Sequence, residues 1–164
     1  MLKYVDTKIV FQEIPDEITL AINISNCPCH CKNCHSSYLA EDIGEELTFR
    51  TLDTLIKNNN GITCVAFMGG DSEPMGINIL ASYVKEYYPN IKTAWYSGRQ
   101  ELSDAICLKH WDYIKLGPYI EELGPLNSKT TNQKFYEVIQ AVDTKGSITY
   151  GLNDITYKFH RDAQ

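Results

Sequence analysis

Strand-like and helix-like segments alternate through most of this chain, and this alternation limits the folds open to it. The apolar run over residues 62–68 lies between glycines and is typical of a buried parallel strand. The pattern predicts strands at 18–23, 62–68, 91–97 and 112–117, and helices at 47–59, 77–89 and 99–109. Strands joined by crossover helices form βαβ units on a parallel sheet. A closed eight-stranded barrel needs about 200 residues or more. At 164 residues we therefore expect an α/β fold, a partial, open (βα) barrel.

The end of the chain has a different pattern. The segment SITYGLNDITYKFH, residues 147–160, contains two alternating runs around residues 151–153, which predicts a C-terminal β-hairpin. No linker or change in composition divides the chain. We therefore expect one domain over residues 1–164, with a core at about 18–137 and an unassigned tail at 138–164.

Composition excludes several classes of function. Hydrophobic residues make up 43% of the chain and charged residues 22%, as in ordinary soluble globular proteins. The net charge of −6 argues against nucleic-acid binding, which needs a basic surface. No stretch approaches the roughly 18 apolar residues of a membrane span, and the N-terminal segment carries charges throughout. These observations predict a cytoplasmic protein.

Four of the six cysteines lie within positions 27–34, directly after the first predicted parallel strand. Thiols stay reduced in the cytoplasm, so a disulfide knot is disfavoured there. A zinc site and an iron–sulfur site remain as interpretations. Zinc could use these cysteines and His35, although structural zinc usually takes a second, distant ligand pair that the chain lacks. We expect Cys64 and Cys107, which lie alone in apolar surroundings, to be buried.

The spacing of Cys27, Cys31 and Cys34 is C-x3-C-x2-C, with Cys29 between the first two. Three thiolates on one loop can ligate three irons of a cubane cluster and leave the fourth without a protein ligand. An iron with open coordination can bind a small molecule, as a three-ligand catalytic zinc does. Cys29 is crowded between two ligands, and we expect it to be a spectator.

This spacing after a first strand resembles the signature of the radical S-adenosylmethionine enzymes. The resemblance implies a 4Fe–4S cluster whose open iron is chelated by the amino and carboxylate groups of S-adenosylmethionine. It also implies that an electron from the cluster cleaves the sulfonium to give a 5′-deoxyadenosyl radical. By the same resemblance, Asn33, Cys34 and His35 lie against the cofactor.

The loop FMGGDSEP, residues 67–74, supplies further candidate contacts. Glycines at 69 and 70 let backbone approach a ligand closely, although a tight turn would use them equally well. Gly69, Gly70 and Asp71 resemble the family's Gly-Gly-Glu motif, which implies that they hold the methionyl amino group. Ser97, at the end of the third predicted strand, is a candidate ribose contact or, alternatively, a helix N-cap.

Three later segments narrow the resemblance. AWYSGR, YIKLGPYIEEL and TTNQKF resemble segments of the activating proteins of anaerobic (class III) ribonucleoside-triphosphate reductase. That group implies hydrogen abstraction from a glycine of the large reductase subunit, with electrons from reduced flavodoxin or a similar donor. The chain departs from the group at Lys32, Asn33 and Ser36, and it lacks an N-terminal Gly-Pro-Gly.

Other functions are compatible with the same cysteines. Activation of pyruvate formate-lyase differs only in the partner, and a small-molecule radical enzyme would share the cysteine loop. A zinc-stabilised binding module or an electron carrier would use the thiols without cleaving a cofactor. Within PYIEEL, Tyr119, Glu121 and Glu122 either face a protein partner or form a solvated loop.

Overall fold

The computed structural model describes residues 1–160, which form one eight-stranded sheet. The strand order is β3-β1-β2-β4-β5-β6-β7-β8. Strands β2, β4, β5 and β6 are parallel, and the strands outside them pair antiparallel. The bounds are β1 Lys3–Val10, β2 Thr19–Ile24, β3 Glu45–Glu46, β4 Cys64–Met68, β5 Lys92–Tyr96, β6 Tyr113–Leu116, β7 Lys134–Val142 and β8 Ile148–Asp154.

The prediction of a partial (βα) barrel is wrong. The sheet is mixed and not closed, and residues 1–160 contain two α-helices, α1 at Phe49–Lys57 and α2 at Pro74–Tyr87. The predicted helix at 99–109 is replaced by a short 3-10 turn, Leu108–His110. Side chains take backbone groups that a helix would need, since Asn78 accepts from the Cys107 N–H at 2.9 Å and Ser103 from the Ala105 N–H at 3.2 Å.

Both α-helices lie on one face of the sheet. Thr48 caps α1, accepting a hydrogen bond from the Thr51 N–H at 3.1 Å. Pro74 is the first residue of α2. A backbone N–H at this position has no partner within the helix, so proline costs no hydrogen bond there. The main core lies between helices and sheet and includes Leu52, Ile77 and Val84 from the helices. Among residues 1–160, no helix is both long and apolar enough to cross a membrane.

The opposite face of the sheet is covered by loops and by the end of the chain. In β4, Val65 and Phe67 belong to the helix-side core, while Cys64 and Ala66 belong to a smaller core on the other face. That smaller core also contains residues from distant segments, namely Ile14, Ala94, Leu126, Phe135 and Ile155. The central strands are therefore buried on both sides, as expected for parallel strands.

A buried carboxylate ties together the amino ends of the parallel strands. Glu17 accepts hydrogen bonds from Thr63 Oγ1 at 2.5 Å, Lys92 Nζ at 2.7 Å and Tyr113 OH at 3.0 Å. Burial alone would raise the pKa of the Glu17 carboxyl, but the three hydrogen bonds outweigh it and leave the pKa below its ordinary value.

The hairpin predicted within residues 147–160 is wrong, because Ile148–Asp154 form the single strand β8, which pairs with β7 in a different hairpin. Strands β7 and β8 are joined at residues 143–147, where Asp143 Oδ1 accepts from the N–H groups of Lys145 at 2.8 Å and Ser147 at 2.9 Å. Gly146 adopts a φ of +83° there. Gly151, expected at the turn, lies in the middle of β8 opposite Ile139. Aspartate and glycine suit this turn because one bonds its own backbone and the other allows positive φ.

Candidate functional site

The carboxyl ends of the parallel strands meet at one edge of the sheet. The cysteine loop follows β2, the Gly69–Gly70 loop follows β4, and Ser97 and Gly98 follow β5. Parallel strands of open α/β sheets place ligand sites at this edge. The topology therefore brings the three predicted loops together even though the expected barrel does not form.

The cysteine loop has an unusual backbone that is fixed at its base. Asn26, His30 and Asn33 have positive φ values of 60°, 47° and 58°. Such conformations cost energy for residues other than glycine and occur often at ligand sites. Two backbone hydrogen bonds hold the start of the loop, from Asn26 to the Glu41 carbonyl at 2.9 Å and from Cys27 to the Leu39 carbonyl at 2.8 Å.

The loop forms one wall of a cavity of about 470 Å³. All four loop cysteines line the cavity, and all are partly buried. The opposite walls come from the ends of β4, β5 and β6 and from the loop that follows β6. Their principal residues are Met68, Gly69, Asp71, Tyr96, Ser97, Gly98, Lys115, Tyr119, Leu126 and Gln133.

Most of the predicted site residues lie on these walls. They are Cys27, Cys31, Cys34, His35, Gly69, Asp71 and Ser97. Asn33 and Gly70 do not line the cavity. The Asn33 side chain instead points across to the loop after β6, where its Nδ2 donates to Glu121 Oε2 at 2.6 Å.

Gly69 of the β4 loop places bare backbone on the wall of the cavity that the cysteines line. Gly69 has a φ of +106°, and a Cβ at this position would lie 3.1 Å from the Ile24 carbonyl oxygen. Its N–H donates to the Tyr96 carbonyl at 3.0 Å, and its carbonyl accepts from Trp95 Nε1 at 2.8 Å. Both the conformation and the lack of space therefore require glycine here.

Asp71 holds the loop after β5 in place. One of its oxygens accepts from Ser97 Oγ at 2.5 Å and the other from the Gly98 N–H at 2.8 Å. Ser97 also accepts from the Arg99 N–H at 3.1 Å, as an N-cap would, but no α-helix follows it in the part of the chain up to residue 160. The carboxylate is buried and lies on the cavity wall.

Cys29 differs in its surroundings from the other loop cysteines. Its Sγ lies 3.8 Å from Asp71 Oδ2, to which the thiol donates. Burial, with the nearby Asp71 carboxylate, raises the pKa of the Cys29 thiol to about 12. A Cβ on Gly98 would lie only 2.8 Å from this sulfur, so the pair packs closely. The expectation that Cys29 is a spectator and not a cluster ligand stays a prediction.

Lys115 is a site residue that the sequence patterns did not single out. It lies in the parallel strand β6, is 8% exposed, and lines the cavity. Its ammonium donates to the carbonyls of Gly117 at 2.9 Å and Ser97 at 3.2 Å. Burial lowers the pKa of Lys115 to about 8, although the Asp71 carboxylate and the loop thiols oppose this shift. The sequence signal that could have identified Lys115 is a charged residue within a predicted buried strand, because lysine is rarely buried.

The PYIEEL segment faces the cysteine loop of this same chain at two positions. The rings of Tyr119 and His35 lie 5.8 Å apart, and Glu121 binds Asn33. Glu122 is exposed. Tyr119 also lines the cavity, so this loop forms part of the site.

The two cysteines outside the loop have different environments. Cys64 is fully buried, as predicted. The prediction for Cys107 is wrong, since it is exposed. The segment around it does not form the expected amphipathic helix, so its apolar neighbours do not enclose it.

The donor chemistry of the loop fits an iron–sulfur cluster. Within residues 1–160, no group of three or more His, Cys, Asp or Glu side chains converges on a single point suited to one metal ion. A cubane cluster does not need its cysteine ligands to converge on one point, because each thiolate binds a different iron. Cysteine sulfurs are soft donors of the kind that iron–sulfur clusters use, and Lys115 and Asp71 line the same cavity.

Comparison of the chain with models of protein families, with curated proteins and with solved structures finds no match.

Proposed function

We propose that this protein is a radical S-adenosylmethionine activase that generates the glycyl radical of anaerobic ribonucleotide reductase. One observation carries the proposal. Three thiols with C-x3-C-x2-C spacing share a cavity with Gly69, Asp71, Ser97 and Lys115, at the edge where four parallel strands end. The resemblance of the later segments to the reductase activators supports the choice of partner.

Cys27, Cys31 and Cys34 are the cluster ligands in this proposal. When bound, the 4Fe–4S cluster and S-adenosylmethionine supply a reductive cleavage of the sulfonium that leads to hydrogen abstraction. The positive φ values of His30 and Asn33 shape the loop between the ligands, and the Leu39 carbonyl fixes its first cysteine. The protein therefore presents its thiols from a loop that is already folded back on itself.

Two buried charges complement a zwitterionic amino acid group. Asp71 provides a negative charge for an ammonium, and Lys115 provides a positive charge for a carboxylate. Charge-assisted hydrogen bonds are stronger than neutral ones, and they gain further in a site that excludes water. Gly69 places backbone on the same cavity wall, and Ser97 offers a hydroxyl there.

The proposed substrate is a glycine in a loop of the large reductase subunit. A glycyl radical is stabilised by delocalisation over the neighbouring amide groups, which suits it to storing one unpaired electron. The electron that starts each reaction comes, in this proposal, from reduced flavodoxin or a similar carrier. No side chain of the activase is required as an acid or base.

Anaerobic reconstitution tests the cluster. We expect about four irons and four sulfides per chain, in accord with a 4Fe–4S cluster, and formation of 5′-deoxyadenosine on reduction with S-adenosylmethionine. Alanine at Cys27, Cys31 or Cys34 should abolish both, whereas Cys29→Ala and the exposed control Cys107→Ala should keep the iron content. Tetrahedral zinc without iron, or loss of iron in Cys29→Ala, would overturn the ligand assignment.

Electron paramagnetic resonance separates the activases. The reconstituted protein is mixed with S-adenosylmethionine and either the anaerobic reductase or pyruvate formate-lyase. We expect a glycyl doublet only in the reductase mixture. A doublet only with pyruvate formate-lyase would change the partner, and 5′-deoxyadenosine formation without any doublet would favour a small-molecule substrate.

A further inference from the structure

The segment that follows β6 reaches the cysteine loop without entering either core. Leu116, at the end of β6, is 7% exposed and belongs to the helix-side core, and Leu126 is 8% exposed and belongs to the smaller core. Between these two anchors lie residues 118–123, PYIEEL, which we call the strap. Within residues 1–160, neither core includes a residue of the strap. Segments with so little apolar burial open at low cost in free energy.

Glycines flank the strap on both sides. Gly117 has a φ of +115° and Gly124 has a φ of +85°, conformations that other residues rarely adopt. Between them the strap forms a turn of its own, in which the Ile120 carbonyl accepts from the Leu123 N–H at 3.0 Å. The strap can therefore move as one body, while the change in backbone dihedral angles falls on the two glycines.

Two contacts hold the strap against the cysteine loop. Asn33 Nδ2 donates to Glu121 Oε2 at 2.6 Å, and the ring centroids of His35 and Tyr119 lie 5.8 Å apart. Asn33 and His35 are the two neighbours of Cys34 in sequence, and Cys34 lines the cavity together with Tyr119. Asn33, His35 and Glu121 are exposed, so water competes for these contacts. The strap is therefore attached on both sides of Cys34, and only weakly.

We propose that the strap is a lid over the cysteine side of the cavity, with the hydrogen bond between Asn33 and Glu121 as its latch. The lid is closed in the structure. When the latch breaks, the strap moves away on its two flanking glycines and exposes Cys34 and the cavity behind it. The lid is built from this chain alone, and it controls access to the thiols whether or not they hold a cluster.

The lid also has a use in the proposed function. There a loop of the large reductase subunit has to reach the cavity, and opening the strap widens the entrance beside Cys34. This use rests on the proposed function, whereas the opening of the strap does not.

Alkylation of the full chain, reduced and free of metal, tests the lid. The rate at which N-ethylmaleimide modifies Cys34, followed by peptide mass spectrometry, measures how often the strap is open. Cys107 is the reference for an exposed thiol, and modification of the fully buried Cys64 reports unfolding. We expect Cys34 to react more slowly in the folded wild type than in urea. Glu121→Ala should speed its reaction at least about threefold without exposing Cys64, whereas Glu122→Ala, at the exposed neighbouring position, should not.

A second pair of variants separates the latch from the charge of Glu121. Removing a carboxylate favours the thiolate form of a nearby cysteine, which by itself speeds alkylation. Asn33→Asp has the opposite effect on the thiolate, yet it should still speed the reaction of Cys34 about threefold, because like charges open the latch. Aspartate tolerates the φ of +58° at position 33. Asn33→Asp combined with Glu121→Gln re-forms the hydrogen bond with donor and acceptor exchanged, and should return the rate to that of the wild type.

Three results would overturn the lid. They are a wild-type Cys34 that reacts as fast folded as in urea, equal acceleration by Glu122→Ala and Glu121→Ala, and a double variant as fast as Asn33→Asp alone. Circular dichroism and melting of all variants should match the wild type, since the changed positions are exposed. The rates are measured without iron or S-adenosylmethionine, so failure of the cluster reconstitution and failure of the lid are separate outcomes.

Discussion

The central strands β4 and β5 and the hairpin β7–β8 belong to the same sheet but are buried to different extents. Phe67 and Trp95 in the central strands are covered by helices on one side, while Ala66 and Ala94 are covered by loops on the other. In the outer half of the hairpin, Ile139 and Val142 are exposed on opposite faces. Both α-helices of residues 1–160 precede β5, so no described helix after β6 covers the hairpin.

The difference teaches where stability and function reside in this chain. Burial on two faces fixes the central strands, so the loops that follow them begin from fixed positions. A site that must hold several groups in register benefits from such supports. The hairpin adds width to the sheet and an edge, and its side chains contribute less to the core.

The largest expected effect is at Phe67, which is fully buried in the central strand β4. Phe67→Ala should lower the free energy of unfolding by about 3 to 5 kcal/mol, because it removes a large side chain and leaves a cavity. Urea denaturation followed by circular dichroism measures this. A loss below about 1 kcal/mol would mean that the central strands are not the stable part of the fold.

A pair of glycines compares the two regions directly. Gly98→Ala puts a Cβ 2.8 Å from Cys29 Sγ, whereas a Cβ on Gly151 meets nothing within 4 Å. We expect Gly98→Ala to cost about 1 to 3 kcal/mol through overpacking. Gly151→Ala should be neutral or stabilising by up to about 1 kcal/mol. Thermal and urea unfolding of both variants gives the comparison, and similar losses in the two would contradict it.

The buried carboxylate at the amino ends of the strands predicts a pH dependence. The lowered pKa of Glu17 means that its contribution is present above its unfolded-state pKa near 4.5 and is lost as the pH falls through its folded-state value. Glu17→Gln should therefore cost about 1 to 2 kcal/mol at neutral pH and progressively less in acid. Urea unfolding across the acid range measures this, with the exposed Glu122→Gln as control. A loss that does not shrink in acid would contradict the assignment.

The smallest effect is expected in the hairpin. Ile139 is 49% exposed on the face opposite the helices. Ile139→Thr keeps a β-branched side chain and should change stability by no more than about 0.5 kcal/mol. Ile22→Thr in the central strand β2 is the matched change and should cost far more, because Ile22 is fully buried. A large effect at Ile139 would show that this face is covered in solution.

Local patterns predicted the central strands well because these strands are mostly apolar and are buried on both faces. They also predicted helix α1, expected at 47–59 and found at Phe49–Lys57, whose Thr48 cap is a local contact with Thr51. The segment 99–109 shows the limit of such patterns. Leu102 and Ile106 do pack against the core, but Asn78 accepts a hydrogen bond from the Cys107 N–H, which a helix would use. Asn78 and Cys107 are 29 residues apart in sequence, so a local pattern does not reveal this hydrogen bond.

The candidate site was predictable where its residues lie in contiguous motifs. Cysteine spacing and paired glycines identified most of one side of the cavity. Lys115 in β6 and Gln133 just before β7 lie in segments that the resemblance includes, but neither was singled out, and both reach the site only through the strand order. Asn33 was placed against the cofactor, but its side chain binds Glu121, which is 88 residues away in sequence. Such pairings depend on the tertiary fold.

The hydrogen bond from Trp95 to the Gly69 carbonyl gives the molecule an optical reporter. The chain has two tryptophans, both buried, with ring centroids 6.0 Å apart. The Trp95 indole donates to the backbone that lines the cavity. Anything that settles against Gly69 alters the surroundings of this ring, so a change in ultraviolet emission should accompany occupation of the site, and ligand titrations can be followed without a label.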